Sequence, residues 1–80
     1  MDTISDIISD IMIHIKETLN AEQRTALENE IRKVEGVVSP GFNADKPHLL
    51  LITYNTEKSS TAVLLAKTRA AGYTAQLVGM

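Results

Sequence analysis

The sequence predicts an α+β sandwich of order β-α-β-β-α-β, a four-stranded antiparallel sheet with two helices on one face. Three observations point to it. Alternating isoleucines at residues 11 to 16 precede a capped amphipathic segment at 21 to 35. A proline-bearing run at 37 to 43 is joined by a hairpin to a run at 48 to 55 that is apolar on both parities. A second helical segment then leads through a glycine to a short alternating stretch at 74 to 78. Two interleaved right-handed β-α-β crossovers give the ferredoxin-like arrangement.

The first strand rests on Ile11, Ile13 and Ile15, whose β-branched side chains favour a pleated surface. Residues 1 to 9, with the partial repeat ISDI-ISDI, read as an extended lead-in to a core at 10 to 78. Asn20 is placed as an N-cap, with Gln23 able to reach back to it in a capping box. Leu27, Ile31 and Val34 follow at spacings of four and three, and Gly36 stands where a left-handed C-terminal residue is favoured.

Pro40 cannot donate to a ladder, so VVSPGFN reads as an edge strand. NADKP is the hairpin connection and HLLLITYN the central strand. In STAVLLAKTRAAGY, Ser59 or Ser60 is placed to cap a helix. Val63, Ala66 and Ala70 are expected to line its buried face, with Leu64 and Leu65 contributing, and Gly72 closes it.

Eighty residues bury one core, so residues 1 to 80 form a single domain. With one Phe, two Tyr and no Trp, that core must be aliphatic. The net charge is -2 and no Lys/Arg cluster occurs, so nucleic acid is not an expected partner. Cysteine is absent, which excludes disulfides, zinc-thiolate sites and thiol nucleophiles and suits a reducing compartment. Asp2, Asp6 and Asp10 replace the positive start of a secretory signal, and no apolar run is long enough to span a membrane. A small cytoplasmic protein with neither membrane contact nor cofactor is expected.

The segments EGVVS, ITYN and AAGYTAQLV, in that order and spacing, resemble the heavy-metal-associated domains of copper chaperones and metal-pumping ATPases, over residues 11 to 78. That family holds a soft metal with Met-x-Cys-x-x-Cys in the loop after the first strand. The resemblance places the methionine at Thr18 and the two cysteines at Asn20 and Gln23, so none is retained. Neutral amide oxygens are poor substitutes for the thiolates that select Cu(I). The resemblance therefore implies the fold without the metal site.

For Asn20 and Gln23 the capping box is the simpler reading than a ligand pair for a hard ion. His14 and His48, with Asp45 in the hairpin, are weak candidates for Zn, Ni or Cu(II). Their parities count against them, because His14 shares a face with Met12 and His48 shares one with Leu50 and Ile52. If Ile11, Ile13, Ile15, Leu50, Ile52 and Tyr54 face the helices, then Met12, His14, Leu49, Leu51, Thr53 and Val78 face away. An open sheet face should turn polar, yet the centre of this one is Met and Leu. Such a patch points to self-association, as a homodimer, or to another protein partner.

Enzymatic readings lack support: there is no phosphate loop, no nucleophile with a paired base and no close carboxylate pair. Acylphosphatases share the topology but carry an arginine in the loop occupied here by KETLN, and RNA-recognition motifs need stacking aromatics where these residues are aliphatic. The expected function is that of an interaction or scaffolding module. The alternatives are a metal carrier using His and Asp ligands, or a small-ligand regulatory domain like the ACT family. ACT binding loops tend to be glycine-rich, and this loop has no glycine.

Overall fold

The computed structural model describes residues 7–78. The elements are β1 (Ile8–Ile15), α1 (Ala21–Arg32), β2 (Val37–Asn43), β3 (Lys46–Asn55), α2 (Thr61–Ala70) and β4 (Ala75–Val78). The strands lie in the order β2-β3-β1-β4 with every neighbouring pair antiparallel. This is the ferredoxin-like α+β sandwich.

The two central strands define the core. Their register pairs Ile11 with Ile52 and Ile13 with Leu50, so period-two alternation brings the large aliphatics to one face. Leu27 and Ile31 of α1 and Leu64 of α2 close over them. Ile13, Ile15, Ile31, Leu50, Ile52 and Leu64 are fully buried, each contributing about 1.5–3 kcal/mol by removal from water. Leu19 and Ala75 complete the cluster from either side.

β1 begins at Ile8, earlier than expected, because the long β3 offers a partner as far as the pair Ile8–Asn55. Ile8 and Ser9 thus belong to the ladder although residues 1 to 9 read as a lead-in; residues 1–6 of that expected lead-in lie outside the described residues. The hairpin is also tighter than NADKP implies: Asn43 pairs with Lys46, leaving only Ala44 and Asp45 as the loop.

α1 stops at Arg32, with Lys33 as its C-cap, and not at residue 35. Val34 packs against the core from outside the helix, which is why the apolar stripe overran it. Gly36 is therefore not the C-terminal residue of the helix but lies in the turn into β2, with φ of 93°. A Cβ there would stand 2.8 Å from Lys58 Cβ, so both conformation and space require glycine.

α2 is rotated from the expected phase. Its buried residues are Leu64 and Thr68, while Val63, Ala66 and Ala70 are exposed. Thr68 tolerates full burial because its hydroxyl donates to the Leu64 carbonyl at 2.9 Å. Ser60 provides the cap, accepting from the Val63 N–H at 3.2 Å, while the buried Ser59 hydroxyl finds no partner. Gly72, with φ of 103°, ends the helix as expected.

β2 is an edge strand. Pro40 stands opposite Ile52 on the buried face, and Val38 is the extra residue of a bulge between the pairs Val37–Tyr54 and Ser39–Thr53. A carboxylate from α1 ties this edge down, Glu28 Oε2 accepting from the Phe42 N–H at 3.0 Å.

Candidate functional site

The loop between β1 and α1 is held at three points. Leu19 drops into the core. Glu17 Oε1 accepts from the Thr74 N–H at 2.8 Å, and this bond holds the Glu17 carboxyl below the usual carboxylate range. The third point is the capping box: Gln23 N–H donates to Asn20 Oδ1 at 2.8 Å, and Asn20 N–H donates to Gln23 Oε1 at 2.9 Å. Thr18 is exposed on the loop surface.

These residues do not fit a soft metal. The loop offers no thiolate, and the two amide oxygens at its mouth are already accepting backbone hydrogen bonds. Among the described residues no group of three or more His, Cys, Asp or Glu gathers in ligating geometry. Asp45 therefore does not join the two histidines. It lies exposed in the hairpin, its N–H donating to Asn43 Oδ1 at 2.8 Å.

The histidines themselves do meet, contrary to the parity argument. Their rings stack with centroids 5.7 Å apart and planes inclined by 21°. Parity holds only inside a ladder, and the β1–β3 ladder ends at His14–Leu49. Just beyond it the His48 ring turns to the Ile15 carbonyl, with Nδ1 at 2.8 Å from the oxygen, and lies against His14.

The open face of the sheet carries the clearest surface feature. One row crosses all four strands: Gly41 pairs with Leu51, Leu51 with Met12, and Met12 with Val78. Leu51, Met12 and Val78 keep 43%, 36% and 37% of their surface exposed. Gly41 has no side chain to fill its end of the row, and a shallow concavity of about 310 Å³ opens there, reaching Leu49 and Phe42. Sequence parity identified the apolar row but not this hollow, for which a glycine opposite a leucine is the signal.

Polar groups bound the row along the strands. At one end the Thr53 hydroxyl donates to Asp10 Oδ1 at 2.7 Å. At the other, Lys16 lines a hollow with His14 and Gln76, and Lys46 lines the concavity beside Leu49. The face is thus negative at the Asp10 end, apolar in the middle and positive at the Lys16 end.

No protein-family model matches the sequence, and no curated protein does. Solved structures match throughout the fold. Oxidized MerP from Ralstonia metallidurans CH34 is 19% identical, with a TM-score of 0.79 over 90% of this chain and 99% of that one. The N-terminal domain of a potential copper-translocating P-type ATPase from Bacillus subtilis, solved in the Cu(I)-loaded state, is 22% identical with a TM-score of 0.81, over 91% and 90%. The N-terminal domain of PacS from Synechocystis PCC6803 is 24% identical with a TM-score of 0.74, over 89% and 98%. At these identities the likeness establishes the fold, which is that of the heavy-metal-associated domains whose segments the sequence resembles.

Proposed function

We propose that this chain is a non-enzymatic interaction module that uses the fold of metal-carrying domains without their cysteine site. It pairs with a second copy of itself through the open sheet face. The observation that carries the reading is the apolar row Leu51–Met12–Val78.

Charge selects the second copy as occupant. A two-fold axis lying in the interface and perpendicular to the strands sets Asp10 of one copy over Lys16 of the other, twice. An axis parallel to the strands would instead set Asp10 over Asp10. The face is therefore self-complementary in one antiparallel arrangement, the property an isologous pair requires. Pairing through the β2 edge is disfavoured by Pro40 and by the bulge at Val38.

Area sets the strength. The exposed parts of Leu51, Met12 and Val78 amount to about one whole aliphatic side chain per copy. Burying them on both copies yields about 4 kcal/mol, comparable to the smallest estimates of the cost of association. The row alone only offsets the smallest such cost, so the pair is weak and draws its net affinity from the Asp10–Lys16 contacts and from Leu49 and Phe42 around the concavity.

Sedimentation equilibrium at rising chain concentration tests the reading. The parent protein is expected to self-associate and Leu51→Lys to remain monomeric over the same range. A parent that stays monomeric at the highest soluble concentration, or a Leu51→Lys variant that associates equally, would overturn it.

A further inference from the structure

The geometry points to a divalent-metal site at the end of the β1–β3 ladder, formed by the His14 and His48 imidazoles and selective for borderline cations such as Cu(II), Ni(II) or Zn(II). It is separate from the β1–α1 loop, uses nitrogen in place of sulfur, and does not depend on self-association.

The first support is the tautomer of His48. Its Nδ1 lies 2.8 Å from the Ile15 carbonyl oxygen, and a carbonyl only accepts, so Nδ1 carries the proton. In the neutral ring Nε2 then holds a free lone pair. A ligating histidine ordinarily has this arrangement, because the outer hydrogen bond fixes the ring and raises the basicity of the other nitrogen. The anchor is backbone at the end of a central strand pair, so the ring is held without further support.

The second support is the approach of His14. Its ring stacks on that of His48 with centroids 5.7 Å apart, and both residues are half-buried and open to solvent. A metal about 2.0–2.1 Å from each nitrogen, at a tetrahedral angle, needs the two nitrogens about 3.3 Å apart. Stacked rings point their in-plane lone pairs side by side, so a shared metal requires the His14 ring to turn out of the stack until the two nitrogens reach that spacing. His14 stands on the open face and is only half-buried, which leaves room for that turn.

The donor set decides the cation. Two neutral imidazoles without a carboxylate favour the later first-row metals and offer little to Mg(II) or Ca(II). Among the described residues no third His, Cys, Asp or Glu joins the pair, so water would complete the coordination. Lys16 lines the hollow beside His14 and opposes any cation there. Binding is therefore modest, with Cu(II) the tightest by the usual affinity order.

The test titrates the full chain with copper(II) sulfate at micromolar chain concentration, where the weak pair is dissociated. Amide NMR line broadening maps the site, and electron paramagnetic resonance counts the bound imidazoles. Broadening is expected first at His14, Ile15 and His48, at one ion per chain, with hyperfine structure from two imidazole nitrogens. His14→Ala leaves the His48–Ile15 bond intact, so the fold is kept while copper affinity falls at least tenfold. Magnesium chloride should leave the spectrum unchanged. His14→Ala binding copper as tightly as the parent would overturn the proposal. So would broadening centred on Asn20 and Gln23, or one ion shared between two chains.

Discussion

Replacing Asn20 by alanine tests what the β1–α1 loop is for. The substitution removes the acceptor of the 2.8 Å bond from the Gln23 N–H and leaves one of the helix's orphan donors without a protein partner. Losing an N-cap of this kind costs about 0.5–2 kcal/mol. Both residues are exposed, so water replaces part of the lost bond and about 1 kcal/mol is the appropriate figure. In a domain of this size that lowers the melting temperature by about 4–8 °C, measured by thermal unfolding followed by circular dichroism.

Gln23→Ala removes only the reciprocal bond to the Asn20 N–H and should cost less. The double variant should cost less than the sum, because the two bonds share one geometry. Asn20→Asp keeps a capping oxygen and adds a negative charge at the helix N-terminus, so it should melt like the parent. An Asn20→Ala variant with an unchanged melting temperature would refute the reasoning, as would Asn20→Asp falling equally far. The same logic implies that installing Cys at positions 20 and 23 loses the cap before any metal is added.

Two further predictions concern charge. The Thr74 N–H holds the Glu17 carboxyl below its ordinary range, so Glu17 stabilises the fold at pH above its unfolded pKa. That contribution is lost as pH falls through the folded value. Chemical denaturation of the parent and of Glu17→Gln should therefore differ most at neutral pH and converge in acid; a difference independent of pH would contradict this. In the proposed pair, Asp10→Lys should weaken association by about two- to thirtyfold, from two exposed pairs of about 0.2–1 kcal/mol each. Adding Lys16→Asp to the same chain should restore it, and a double variant as weak as the single one would rule out the antiparallel arrangement.

The parts of the structure legible in the sequence are those governed by short-range pattern. The capping box is spelled by Asn20 and Gln23 three residues apart, and both bonds form. The buried sides of β1 and β3 follow from alternation, as the pairs Ile11–Ile52 and Ile13–Leu50 show. Pattern failed where tertiary contact overrides it. Thr68 is buried because its hydroxyl bonds back to Leu64, a satisfaction that no hydropathy stripe records. Val34 is apolar in helical phase yet lies beyond the helix, and Leu19 is a loop residue held in the core. The histidine pair is hidden from the sequence because parity does not hold past the last rung of the ladder, where His48 turns to Ile15.

The central claim is that the open sheet face binds a second copy of the chain, and a dilution series of amide NMR spectra tests it most directly. Concentration-dependent shifts should be confined to Met12, His14, Leu49, Leu51, Thr53 and Val78 with their flanking polar residues, while α1 and α2 stay fixed. Shifts that centre on the helices or on the β2 edge would contradict the account, and so would spectra that do not change with concentration.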